Sequence, residues 1–331
     1  MSLTFTICAN NYLAHTNVLA SSYKKYHPDS VFVIAILDKP NKNVEYNKLG
    51  ANEVIWIHEL FPDLIDKLKE KYGIAELCTA VKPELFSHFF SKGFDSVLYI
   101  DPDIKVFSKF KEVFEKLNTY DVILTPHICS PTGEVGHPLD KDLMRTGIYN
   151  LGFLAMNCTP ETLAFVNWWD KRVKSFGYHD LQKGYFYDQI WLGYAPAFLD
   201  KVYILRHLGY NVANWNLHER EVIEKKGNFY INDETTPLRF FHYSHYKMGN
   251  EPIIASYNEN FNLKNRADIV PVFNNYKTSL EDSGYHQLKN IAYNYGKPID
   301  QKEPIKPKKQ SRLKRSAYLL KKVFRILITG K

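Results

Sequence analysis

The segment "SVLYIDPDIKVF", residues 96–107, is an apolar run that stops at two carboxylates, Asp101 and Asp103, held apart by Pro102. Like charges at the end of a buried strand repel each other and are costly to desolvate unless a cation lies near both. A hard divalent ion such as Mn²⁺ or Mg²⁺ takes oxygen ligands of this kind and usually holds substrate phosphates as well. Pro102 fixes its own φ and stiffens the bend, so that both side chains aim at one place. The plainer alternative is a pair of solvated turn aspartates.

Apolar strand patterns alternate with helical ones along the chain. "LTFTICA" (3–9) precedes a helix from about Leu13 to Tyr26, "VFVIAIL" (31–37), "EVIWI" (53–57), a helix near 62–72 and the stretch "LCTAVKPELFSHFF" (77–90). "SVLYI" (96–100), "DVILTP" (121–126) and "LGFLAMN" (151–157) follow, bounded by turn residues or further helices. This alternation predicts an α/β fold, a mostly parallel sheet covered on both faces. Ligands of such sheets lie beyond the carboxyl ends of the strands, where Asp101 and Asp103 fall.

Composition narrows the classes. The chain has 331 residues and a net charge of +7, but Lys302–Lys331 holds eleven Lys or Arg against one acid, leaving the body slightly acidic. A nucleic-acid surface would spread its cations over a folded face, so no nucleic-acid partner is expected. The four cysteines, Cys8, Cys78, Cys129 and Cys158, show no metal or disulfide spacing and read as reduced thiols. "MSLTFTICANNYL" lacks a signal-peptide pattern, and no run reaches membrane-span length, so a cytoplasmic location is expected.

The line "FTICANNYL … AVKPELFSHFFSKGFDSVLYIDPDIKVF … YNLGFLAMN … YFYDQIWL … FFHYSHYK" resembles, in order and spacing, the retaining family 8 glycosyltransferases of the GT-A fold, over roughly residues 3–250. The resemblance implies a Rossmann-like GT-A domain whose Asp101 and Asp103 hold Mn²⁺ (or Mg²⁺) and the diphosphate of a UDP-sugar. It implies a third metal ligand at His242, with His245 on the same stretch; the family's glycine and "KPW" ending are missing here. Ala9, Asn10 and Asn11 would then meet the uracil edge and Tyr12 its ring, although Asn-Asn after a strand is also a common turn. Lys82 and Lys247 match basic residues that contact the donor, and Asn150, with Asn157 as a further candidate, lies along the same cleft wall. Asp188-Gln189 matches the pair beside the anomeric carbon; an Asp before a helix is ordinarily a cap. Segment 127–150 reads as a loop able to close over donor or acceptor.

"LGYNVANWNLHER" (208–220) offers Asn214, Trp215 and Asn216 for sugar recognition, since an indole face packs on a pyranose while amides bind hydroxyls; a buried Trp in a capped loop is the other reading. The expected acceptor is a glycan, a glycolipid or a glycoprotein, with nothing to separate them. A nucleotidyltransferase making sugar nucleotides and a non-catalytic sugar-nucleotide binder are the alternatives, the first lacking a Gly-rich triphosphate loop and the second having no need of the carboxylates. The expected domains are a catalytic body over 1–260, a helical extension over 261–300 and a basic tail over 301–331. In the tail, Leu313, Ala317, Leu320, Phe324 and Leu327 recur at helical spacing among the cations, the pattern of a helix lying on an anionic membrane surface. The protein is thereby expected at the inner face of the membrane.

Overall fold

A computed structural model of the chain describes residues 1–295. The expected tail over 301–331 and the end of the extension lie outside the described residues.

Seven strands form the main sheet: β1 (Ser2–Cys8), β2 (Val31–Ile36), β3 (Glu53–Trp56), β4 (Ser96–Ile100), β6 (Val122–Pro126), β7 (Tyr149–Asn157) and β8 (Val202–Ile204). Their order is β8-β6-β7-β4-β1-β2-β3, and β7 alone runs against its neighbours. A short second sheet places β10 (Phe240–His242) between β5 (Ile104–Val106) and β9 (Val212–Ala213). The architecture is the expected α/β one, a mostly parallel, Rossmann-like sheet with helices on both faces.

Alternation along the strands makes two cores. Leu3, Phe5, Val33, Ala35, Val97 and Tyr99 pack on one face with Leu85 and Phe86 of α2 (Lys82–Ser91) and Val166 and Trp169 of α5 (Pro160–Phe176). Phe32, Ile34, Leu98 and Ile100 point to the other face, with Leu19 and Tyr23 of α1 (Leu13–Tyr26) and Val113 of α3 (Lys111–Leu117). Because both faces are covered, the strands read as continuous apolar runs. Each of the Val, Leu, Ile and Phe side chains contributes roughly 1.5–3 kcal/mol by leaving water. The helix α6 (Val270–Asp282) closes a third cluster, in which Tyr276 stacks on Tyr243 at 3.7 Å. Among the described residues, no helix is long and apolar enough to cross a membrane.

The chain proceeds from β1 outward through β2 to β3 and then returns to place β4 on the other side of β1. That reversal opens a crevice beyond the carboxyl ends of β1 and β4, where Ala9–Tyr12 and Asp101–Asp103 lie.

Candidate functional site

Strand pairing assembles the acidic end of the site. Asp101 ends β4, its amide donating to Gly152 O at 2.8 Å, and the chain turns through Asp103 into β5. β5 pairs antiparallel with β10, setting His242 opposite Ile104, while the Tyr243 amide donates to Asp103 O at 2.9 Å. The His242 Nε2 consequently lies 3.0 Å from Asp103 Oδ1 and 3.7 Å from Asp101 Oδ2. One ligand atom from each of Asp101, Asp103 and His242 falls within 4.8 Å of the others. His245 does not join them; it lies in the following loop at φ 61°, edge-on to Tyr257.

The electrostatics follow from this crowding. Burial and the Asp103 charge raise the Asp101 carboxyl against the pull of Lys82, His242 and a 2.6 Å hydrogen bond from Tyr99. Burial would raise Asp103 also, but the charge and hydrogen bond of His242 outweigh it and leave Asp103 lowered. His242 is the mirror case: burial would lower it, and the two carboxylates raise it. Two carboxylates and an imidazole nitrogen converging at the mouth of a crevice are a donor set that suits Mn²⁺ or Mg²⁺.

Asp188 precedes a 3₁₀ turn, Gln189–Tyr194, yet makes no capping bond. Its carboxylate instead meets the Lys82 ammonium at 2.6 Å, with both side chains almost wholly buried. Lys82 lies 3.9 Å from the Tyr99 ring centroid and donates to Leu151 O at 3.2 Å. The lysine expected on the donor is thus a buried partner of the aspartate expected on the sugar. Burial raises the Asp188 carboxyl, and the Lys82 charge opposes the rise. Gln189 reaches the same wall, its Oε1 accepting from the Leu151 amide at 3.0 Å and its Nε2 donating to Thr146 O at 2.8 Å.

At the other end of the crevice, Ala9 opens a 3₁₀ turn over Asn10–Tyr12. The Asn10 side chain is committed to the protein, donating to Lys39 O at 2.9 Å and accepting from the Tyr46 hydroxyl at 2.7 Å. Its own amide donates to Asp38 Oδ2 at 2.7 Å. Asn11 is half-buried and Tyr12 exposed, the latter stacked on His15 at 4.5 Å. Lys247 lies exposed in the loop after β10.

A cavity of about 340 Å³ adjoins Asn150, Gln189 and Trp215 and extends past His127, Arg145 and Tyr257. Its wall includes a helix, α4 (Asp140–Thr146), within the segment expected as a loop. Trp215 is nearly buried, edge-on to His127 and to His242, each at 5.2 Å, and its indole N–H has no partner. Asn214 is tied to Ser244 O and to Asn258. Asn216 requires a correction: it is fully buried, donates to His127 O and Asn211 O at 2.8 Å each, and accepts from the Ala213 amide at 3.0 Å, so it holds its own loop. Asn157 is corrected as well. Antiparallel β7 carries it to the amino end of β4, opposite Ser96 and away from the crevice.

Two further residues belong to this region, Asp38 after β2 and His127 after β6. A polar residue directly beyond a parallel strand is the same signal that marked Asp101. Burial pushes the His127 imidazole down to about 4, so it is neutral at pH 7.

No family model matches the chain. It is 28% identical over 225 residues to the uncharacterized protein YfnD of Bacillus subtilis (strain 168), covering 67% of this chain and 70% of that one. It is 24% identical over 247 residues to YfnF of the same organism, covering 73% and 81%. Among solved structures, the galactosyltransferase LgtC with donor and acceptor sugar analogs is 15% identical with TM-score 0.44, over 88% of this chain and 98% of that one. Mouse xyloside xylosyltransferase 1 is 13% identical with TM-score 0.42, over 76% of this chain and all of that one. The bifunctional glycosyltransferase WbbM is 15% identical with TM-score 0.44, and the match spans 73% of this chain and only 45% of that longer one. These likenesses are loose, and the functional reading stands on the site.

Proposed function

We propose that the chain is a metal-dependent glycosyltransferase that moves a hexose or N-acetylhexosamine from a UDP-sugar to a glycan, lipid-linked or protein acceptor with retention of configuration. The observation that carries the reading is the convergence of Asp101, Asp103 and His242 within 4.8 Å at the switch point of an open α/β sheet. Asp101, Asp103 and His242 would hold Mn²⁺ or Mg²⁺, which when bound neutralises the donor diphosphate and the charge building on departing UDP. Exposed Tyr12 offers its ring to the uracil, with the backbone of Ala9 and Asn11 at the base edge. Lys247, in the loop after His242, approaches the phosphates. Asp188, oriented by Lys82, and Gln189 face the sugar. The 340 Å³ cavity beyond Gln189 and Trp215 takes the acceptor. An indole, imidazoles and phenols along its wall suit a sugar ring better than a bare phosphate. The reading is tested by incubating the protein with a panel of UDP-sugars and Mn²⁺ and following UDP release with and without candidate acceptors. Release from no donor in the panel, with or without acceptor, overturns it.

A further inference from the structure

We infer that Asn150 and His127 form a relay that fixes the tautomer of His242, turning its Nε2 lone pair to the metal site; both act as positioning residues. The inference rests on the metal reading above. Its logic is one of donors and acceptors anchored on backbone groups. The His127 Nδ1 lies 3.2 Å from Ile148 O, which can only accept, so Nδ1 carries the proton and the neutral ring's Nε2 is an acceptor. The Asn150 Nδ2 lies 3.3 Å from that Nε2 and 3.4 Å from Gln189 Oε1, and it donates to both. The orientation of Gln189 is set independently by the Leu151 amide and Thr146 O. The Asn150 Oδ1 accepts from the Gly152 amide at 3.2 Å and faces His242 Nδ1 at 3.3 Å. That contact requires a proton on His242 Nδ1, which leaves Nε2, the atom beside Asp101 and Asp103, as the ligand.

Every polar atom of the Asn150 side chain is thereby used inside the protein, so the residue expected to touch the donor acts through His242 instead. The closeness needs Gly152, since a Cβ there would stand 2.5 Å from His242 Cε1 and 2.8 Å from Asn150 Oδ1. An imidazole bound on one nitrogen and hydrogen-bonded on the other holds a metal more tightly than an untethered one, with losses of about 10- to 100-fold when the outer partner is removed.

The test is binding of Mn²⁺ alone, by calorimetry or EPR, to the full chain and its variants, with circular dichroism melts to verify folding. Asn150→Leu should weaken Mn²⁺ by about 10- to 100-fold. His127→Phe, which keeps a ring on the cavity wall but removes the acceptor for Nδ2, should weaken it by a smaller factor. Asn150→Asp loses both donated bonds, as His127→Phe loses one, yet keeps an oxygen on His242 Nδ1, so it should weaken Mn²⁺ far less than Asn150→Leu does; a merely structural role predicts it to be as damaging as Asn150→Leu. ¹⁵N spectra of the Mg²⁺-loaded protein should show the His242 proton on Nδ1. Wild-type affinity in both Asn150→Leu and His127→Phe, or the proton on Nε2, overturns the relay alone. Absence of Mn²⁺ binding by the wild type overturns the metal reading and the relay with it.

Discussion

At the scale of single residues, the strand-terminal carboxylates support opposite expectations from those of a core residue. Asp101 and Asp103 crowd each other and are only partly covered, so removing one relieves repulsion and opens no apolar cavity. Asp103→Ala is expected to abolish Mn²⁺-dependent turnover while leaving the fold intact, with a modest fall in melting temperature from the lost contact to His242; full metal-dependent activity in both Asp101→Ala and Asp103→Ala would remove the metal from this position. Asp188 differs because it shares a buried ion pair with Lys82. Asp188→Asn should lower turnover on the order of a hundredfold or more with donor affinity roughly level, as for a group used in the transition state. It should also destabilise the fold by up to about 3 kcal/mol, since it leaves an ammonium buried without a counter-charge. Replacing both partners, Lys82→Met with Asp188→Leu, should return the stability and not the turnover. Recovery of turnover in that pair would reduce Asp188 to a structural acid. The partnership was invisible in the sequence, because 106 positions separate the two residues, and alone Lys82 reads as an ordinary surface charge and Asp188 as a helix cap. Asp101 and Asp103 were legible for the opposite reason, since their setting is the adjacent strand itself.

At the scale of elements, the strands Ser96–Ile100 and Tyr149–Asn157 were marked by their apolar runs, but direction was not. Hydrophobic periodicity is the same read either way, so the reversal of β7 could not be seen, and with it the removal of Asn157 from the site. The three-residue strands β5 and β10 are too short to carry a period of their own; pairing with each other makes them strands, and that pairing sets His242 against Asp103. A bend in β7 matters as much. Its partners on β6 jump from Leu154 to Asn150, leaving Leu151 and Gly152 to bond Lys82, Gln189, Asn150 and Asp101. Glu112 of α3 pins the approaches to β9 and β10: Tyr210 donates to it at 2.9 Å and Arg239 meets it at 2.6 Å. Burial would raise the Glu112 carboxyl, but the bonds from its own amide, Arg239 and Tyr210 outweigh this and hold it below its ordinary 4.5. A carboxyl with a depressed native pKa adds stability that is fully present above its unfolded value and is lost as pH falls through the native one. Urea unfolding should therefore show the protein losing stability from this group as pH falls below the ordinary carboxylate range. Glu112→Gln should be less stable at pH 7 and flatter across the acid range; an acid limb unchanged by Glu112→Gln would assign it to other carboxylates.

At the scale of the whole molecule, the basic segment beyond Lys302 poses a question that the body does not answer. The body carries the candidate site in one compact unit, Met1–Lys297, and its net charge is slightly negative once the eleven cations of the terminal segment are set apart. An acidic body gains nothing from an anionic bilayer, so any attraction must come from the terminal cations. We propose that this segment holds the enzyme at the membrane where a lipid-linked acceptor would lie. Leu313, Ala317, Leu320, Phe324 and Leu327 would face the acyl chains, and each nearby Lys or Arg would add about 1 kcal/mol, a sum that falls as salt screens the surface. The full chain should float with vesicles containing anionic lipid at low salt and lose them as salt is raised, while a chain ending near Lys302 stays in solution and still releases UDP with soluble acceptors. Equal flotation with neutral and anionic vesicles would refute an electrostatic anchor. Loss of turnover on soluble acceptors in the shortened chain would instead place the segment against the catalytic body.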